Sequence, residues 1–170
     1  RRGDRDTDRI ARHVIDAFGG IHEDFTPYGY DERQFCSPGF DLPYGRLTRT
    51  PNGRFPEYHT SADDLAFVTP EALESSLEAL LEIVAWFECN QRYTNLSPKG
   101  EPRLGPRGLF ADRQGRPPAE FEHALLWLLN QSDGTHDLLS IAQRSGLSRT
   151  QLDAAVAALV RAGLLEKSES

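Results

Sequence analysis

The chain has 170 residues, 38% hydrophobic and 26% charged, with a net charge of −7. This composition suits one globular domain, or one domain with a small module. The acidic balance argues against a general affinity for nucleic acid or anionic membrane, and no apolar run reaches the length of a membrane span.

The sequence contains no methionine, not even at position 1. It therefore reads as a processed product, fragment or excerpt of a longer protein, and the lack of a visible signal peptide says little about that protein. Cys36 and Cys89 lie far apart without CxxC spacing. They read as thiols of a reducing, cytoplasmic compartment, with a disulfide left open.

In chain order, "TDRIARHVIDAF" (7–18) places Ile10, Val14 and Ile15 at helical spacing, with Thr7 or Asp6 as cap and Gly19-Gly20 as the stop. "IHEDFTPY" (21–28) suggests a short strand. Residues 29–60 are dense in Gly and Pro, with a second strand expected in "YGRLTRT" (44–50) and a turn in "TPNGRF". Thr69 should cap a long helix over 70–89, with Pro70 at its first position and an apolar stripe of Leu73, Leu77, Leu80, Leu81 and Val84. That stripe needs a partner surface, and a sheet is the expected one.

The stretch 91–118, dense in Pro, Gly and Arg, reads as an extended linker. Residues 119–170 then read as a compact all-α module. It has one helix at 119–131, a turn and cap at "SDGTHD", a second helix closed by Gly146, and a third capped by Ser148 and closed by Gly163. "LLEK" follows as a terminal strand, and the outline is that of a winged helix. From Pro118 onward seven acids face four bases. A surface of that sign disfavours DNA and favours protein docking or dimerisation.

Two clusters carry the candidate chemistry. In "YHTSADD" a metal-bound imidazole at His59 would have Thr60, Asp63 and Asp64 available as orienting groups, and Tyr58 would set a phenol beside it. The competing reading is an ordinary loop histidine, since there is no HExxH and no second histidine one helical turn away. In "YGYDERQFCSPGF", Asp31, Glu32 and Arg33 form either an exposed charged turn or a pocket lining. Cys36 has no motif-placed partner there and reads as a packed thiol rather than a nucleophile.

The run "GYDERQFCSPGFDLPYGRLTRTPNGRFPEYHTSADDLAFV" resembles the C-terminal half of a bacterial aminopeptidase-like family. That family is related to two-zinc aminopeptidases and glutaminyl-cyclase-like enzymes and often carries a polysaccharide-biosynthesis label. Its members also end in a winged helix after a linker like "NLSPKGEPRLGPRGLF". The "(S)DH..F…G.P…YHT..D" signature of the superfamily is echoed by Asp31, Phe35, "GFDLP", Tyr58-His59-Thr60 and Asp63, with a departure at "DERQ" where the superfamily has "DH".

The resemblance implies an α/β fold, with 1–90 as the C-terminal part of a zinc-aminopeptidase-like domain. It implies His59 as a zinc ligand and Tyr58 as a transition-state hydrogen-bond donor. Asp31, Glu32 and Arg33 would bind substrate, and Thr60 and Asp63 would stand behind the metal-bearing loop. The reaction would be metal-assisted amide hydrolysis on a peptide or amino-group-bearing small molecule. The other ligands and the catalytic Glu precede this region in such enzymes. Zinc would therefore require an upstream segment or second chain, and homo-oligomerisation would be open. A non-catalytic interaction or regulatory protein acting through its winged helix is the alternative.

Overall fold

The computed structural model describes residues 2–109 and 119–168. They form two compact units, residues 1–85 and 86–170.

In the first unit, α1 (Asp6–Ala17) buries Ile10 and Val14, two of the apolar positions expected from spacing. Its first turn is closed by the Asp8 carboxylate, which accepts from the Arg5 backbone N–H at 3.0 Å. Gly19 ends it at φ +69, a left-handed conformation that costs glycine little. A short helix, α2 (Asp31–Phe35), rises from the charged "DERQF" segment.

Neither 21–28 nor 44–50 is a strand. A strand needs a neighbour 4.7–4.9 Å away to take its backbone hydrogen bonds, and the described part of this unit pairs none with them. Turns and side chains satisfy the backbone instead. The buried Cys36 thiol donates to the carbonyls of Leu42 and Tyr44 at 3.5 and 3.4 Å, and Phe35 stacks on Tyr44 with centroids 5.0 Å apart. Cys36 is thus a packed thiol, as its surroundings in sequence suggested.

The long helix α3 (Pro70–Cys89) begins as expected. Thr69 Oγ1 accepts from the Ala72 N–H at 3.3 Å, and Pro70 occupies the first turn. Its apolar stripe departs from expectation. Leu73, Leu77 and Leu81 are 60%, 56% and 59% exposed, while the buried positions are Ala79 and Trp86. The stripe was expected to pack across a sheet, and the described residues of this unit contain none.

The second unit is helices on a small antiparallel sheet. It comprises β1 (Arg92–Asn95), α4 (Ala119–Gln131), β2 (Asp133–Asp137), α5 (Leu138–Ser145), α6 (Arg149–Arg161) and β3 (Leu165–Lys167). The strand order is β2-β1-β3. Thr94 faces Asp133 on one side and Glu166 on the other.

Two assignments change here. The central strand β1 lies inside the stretch read as an extended linker, whose residues 110–118 fall outside the described ones. The module read as all-α carries a three-stranded sheet, because "DGTHD" pairs with β1 as well as capping a helix. The cap itself is present: Asp137 Oδ1 accepts from Ser140 N at 2.9 Å. Ser148 Oγ accepts from Gln151 N while Gln151 Oε1 accepts from Ser148 N, the reciprocal box that starts α6. Gly146 and Gly163 follow α5 and α6 at φ +72 and +66.

The core of this unit is Leu125, Leu128, Leu138, Leu139, Ile141, Leu152, Leu159 and Leu164, all fully buried. Each such side chain contributes about 1.5–3 kcal/mol through burial. Asn90 ties the start of β1 to α5, accepting from Leu139 N and donating to Asp137 Oδ2. No helix among the described residues is long and apolar enough to cross a membrane.

Candidate functional site

Tyr58 and His59 sit on a turn-rich loop between Phe55 and Val68. Phe55 anchors its base, edge-on to Tyr58 at 5.5 Å and stacked on Phe67 at 5.6 Å. The Tyr58 and His59 rings stack with centroids 4.0 Å apart and planes 15° apart. His59 holds φ +59, a left-handed conformation that costs a residue with a Cβ about 1–2 kcal/mol. The surrounding turn enforces it. Thr60 Oγ1 donates to the Glu57 carbonyl at 2.8 Å and accepts from Ala62 N at 3.2 Å.

Thr60 therefore braces the loop next to His59. The second side-chain brace comes from Asp64, whose Oδ1 accepts from Ala66 N and Phe67 N at 2.8 and 3.2 Å. Asp63 is exposed and enters the turn through its backbone, with its N–H donating to the Thr60 carbonyl.

The Tyr58 hydroxyl meets that of Tyr30. That hydrogen bond is the largest cause holding the Tyr58 phenol above its ordinary pKa, and Asn52 acts in the opposite direction. The Tyr58 phenol thus holds its proton more firmly than a free tyrosine does. Glu32, the second residue of α2, is buried. Its Oε2 accepts from Tyr30 N at 3.1 Å, and its Oε1 lies 3.3 Å from Arg46 Nη1. The Arg46 guanidinium stands over the Tyr30 ring at 6.0 Å. Asp31 and Arg33 are exposed on the same short helix.

The structure thus joins Tyr58, His59 and Glu32 through Tyr30 and Arg46, two residues that sequence reasoning did not single out. Neither carries a motif. Tyr30 is 28 positions from its hydroxyl partner. The only sequence hint was the aromatic run "YGY" before the acidic turn.

Among the described residues, no three His, Cys, Asp or Glu side chains come together as a metal site. One imidazole does not hold zinc, which takes three or four protein ligands. The residues present therefore do not by themselves fit the metal that the family resemblance implies.

These features define a two-part protein: a unit presenting a tyrosine–histidine pair on a braced loop, and a winged helix. The chain belongs to the family described as a domain of unknown function (DUF4910), matched over residues 1–90, and residues 91–167 match a winged helix-turn-helix family. It is 42% identical over 167 residues to a Clostridium acetobutylicum protein provisionally named a polysaccharide biosynthesis protein with aminopeptidase-like domain. The match covers 96% of this chain and 38% of that one. A crystal structure of a protein from the same organism, provisionally named a peptidase, matches with a TM-score of 0.84 and 41% identity over 97% of this chain and 36% of that one. The resemblance read from the "GYDERQF…YHTSADD" run is therefore shown at the level of these names, and the chain spans little more than a third of either relative.

Proposed function

We propose that the chain is part of a peptidase-like hydrolase that cleaves an amide bond in a peptide or amino-group-bearing small molecule. The observation that carries this is the Tyr58–His59 pair, stacked on a loop held in a strained backbone conformation. Strain of this kind persists where the surrounding structure over-determines it, and such positions cluster at functional sites. The names of the two relatives support the same reaction class.

In this reading Tyr58 donates a hydrogen bond to the oxygen that becomes negative as the amide carbonyl turns tetrahedral. Asp31 and Arg33, exposed on α2, meet the charged ends of the substrate. Thr60 orients the loop, with Asp63 beside it. His59 would supply one ligand to a zinc ion, whose other ligands would have to come from outside residues 1–170. The uncovered α3 stripe is the surface on which an upstream segment of a protein as long as its relatives packs; a second copy would be the other occupant. A cytoplasmic location rests on the two thiols.

The winged helix serves docking rather than DNA binding in this account. At the start of α6 the Arg149 guanidinium is held by Asp153 at 3.1 Å, and the module is acidic overall. Tight, salt-sensitive binding of a DNA duplex at low ionic strength would contradict that part.

The reaction is tested by incubating the full-length protein with a panel of aminoacyl anilides, with and without chelator and as Tyr58→Phe. Chelator-sensitive release of the amine, lost in the variant, supports the reading. Release that ignores both treatments overturns it.

A further inference from the structure

Glu32 is the one buried acid in the candidate site, and both of its oxygens are already engaged. Oε2 takes the backbone N–H of Tyr30 at 3.1 Å, and Oε1 faces the Arg46 guanidinium at 3.3 Å. Space is cleared for it. A Cβ on Gly29 would stand 1.8 Å from Glu32 Oε1, so only glycine lets the carboxylate reach under the chain there. Arg46 also stands over the Tyr30 ring, 6.0 Å from its centroid, the outer limit of a cation–π contact.

Tyr30 is therefore held at two points, its backbone by the carboxylate and its ring by the guanidinium. Its hydroxyl ends against that of Tyr58. The residues come from three separate stretches of chain, at 29–32, 46 and 58, and converge on one phenol.

We propose that Glu32 and Arg46 are positioning residues that hold Tyr30 so that its hydroxyl fixes the direction of the Tyr58 hydroxyl. This rests on the reading of Tyr58 as the donor and reassigns Glu32 from substrate contact. A substrate amino group could reach Glu32 only by displacing Arg46. Two phenols share two protons. With Tyr30 as the donor of the bond between them, its proton is spent on the Tyr58 oxygen and the Tyr58 proton is left to be donated outward. Tyr30 thus sets where that proton points without touching substrate.

The test uses the full-length protein with tyrosine isotopically labelled at Cζ, a carbon whose NMR frequency reports hydrogen bonding at the hydroxyl. The Tyr58 signal is assigned by its loss in Tyr58→Phe. Tyr30→Phe, Arg46→Ala and Glu32→Gln should each shift it, and Arg46→Lys should restore part of the shift. The Tyr44 signal, from the same unit and stacked on Phe35, should stay put and report that the unit remains folded. A Tyr58 signal unmoved by Tyr30→Phe overturns the contact. One moved by Tyr30→Phe but by neither Arg46→Ala nor Glu32→Gln overturns the positioning role. Should Arg46→Ala fail to fold, Glu32→Gln and Arg46→Lys carry the comparison. If the signals move as expected while the wild-type protein cleaves no aminoacyl anilide, the positioning stands and the hydrolase reading fails.

Discussion

The phenol of Tyr58 lies nearly flat on the imidazole of His59, with centroids 4.0 Å apart and planes 15° apart. Adjacent residues rarely stack this way, since an extended backbone sends successive side chains to opposite faces. The left-handed φ of His59 turns its ring back onto its neighbour. Removing the Tyr58 hydroxyl while keeping the ring should leave the stack and the fold intact. Tyr58→Phe is expected to lower kcat by about a hundredfold to a thousandfold with KM little changed, the loss typical of one oxyanion donor. Steady-state kinetics on the best anilide substrate measure it.

The backbone at His59 gives a separate, activity-free expectation. Alanine retains a Cβ and so retains the cost of φ +59, whereas glycine does not. His59→Gly should be more stable than His59→Ala by about 1 kcal/mol. Urea unfolding of the two variants decides it, and equal midpoints would show that the loop relaxes at that residue.

Gly29 leaves room for one side-chain tip, the Glu32 carboxylate. Alanine there brings its Cβ to 1.8 Å from Glu32 Oε1, and that oxygen is pinned by Arg46. The carboxylate must withdraw, weakening its contacts with Arg46 and Tyr30 together. Gly29→Ala should destabilise the first unit by about 1–3 kcal/mol, as overpacking does, and Glu32→Ala made in the same chain should remove most of that penalty. Thermal melts of the single and double variants test the coupling.

In the winged helix, Asp133 accepts from the side chain and backbone of Thr135 at 2.7 and 2.8 Å and faces His136 Nδ1 at 3.0 Å. The Thr135 hydroxyl is the first cause, followed by its backbone N–H and then His136, that holds the Asp133 carboxyl well below the ordinary carboxylate range. A depressed folded-state pKa stabilises the fold fully above the unfolded value of about 4, and that stability fades as pH falls toward the folded value. Asp133→Asn should therefore lower the melting temperature at pH 7, and its gap to the wild type should narrow below about pH 4. A gap constant with pH would contradict the assignment.

Much of the second unit is legible in the sequence because its signals are local. Ser148 followed three residues later by Gln151, the glycines after α5 and α6, and the leucine spacing all act within one or two turns. β1 is not legible. "RYTN" is four residues set among prolines, glycines and arginines, and it becomes a strand only because Asp133–Asp137 and Leu165–Lys167 pair with it from 40 and 70 positions away. In the first unit the Leu73–Val84 stripe is legible as an apolar face, but what covers it is not encoded in the helix itself. The candidate site divides the same way. Tyr58, His59 and Thr60 are visible as a motif, whereas Tyr30 and Arg46 join them only through the fold. Glu32 was visible as an acid, and only its burial shows that its oxygens are already spoken for.

In the proposed hydrolase, the loop presenting Tyr58 and His59 would belong to a zinc site completed by ligands from outside residues 1–170. Elemental analysis of the purified full-length protein tests it most directly. About two zinc ions per chain are expected, as in paired-metal hydrolases, with His59→Ala losing part of that zinc while remaining folded. A folded full-length protein without zinc, or one whose zinc content is untouched by His59→Ala, would contradict it.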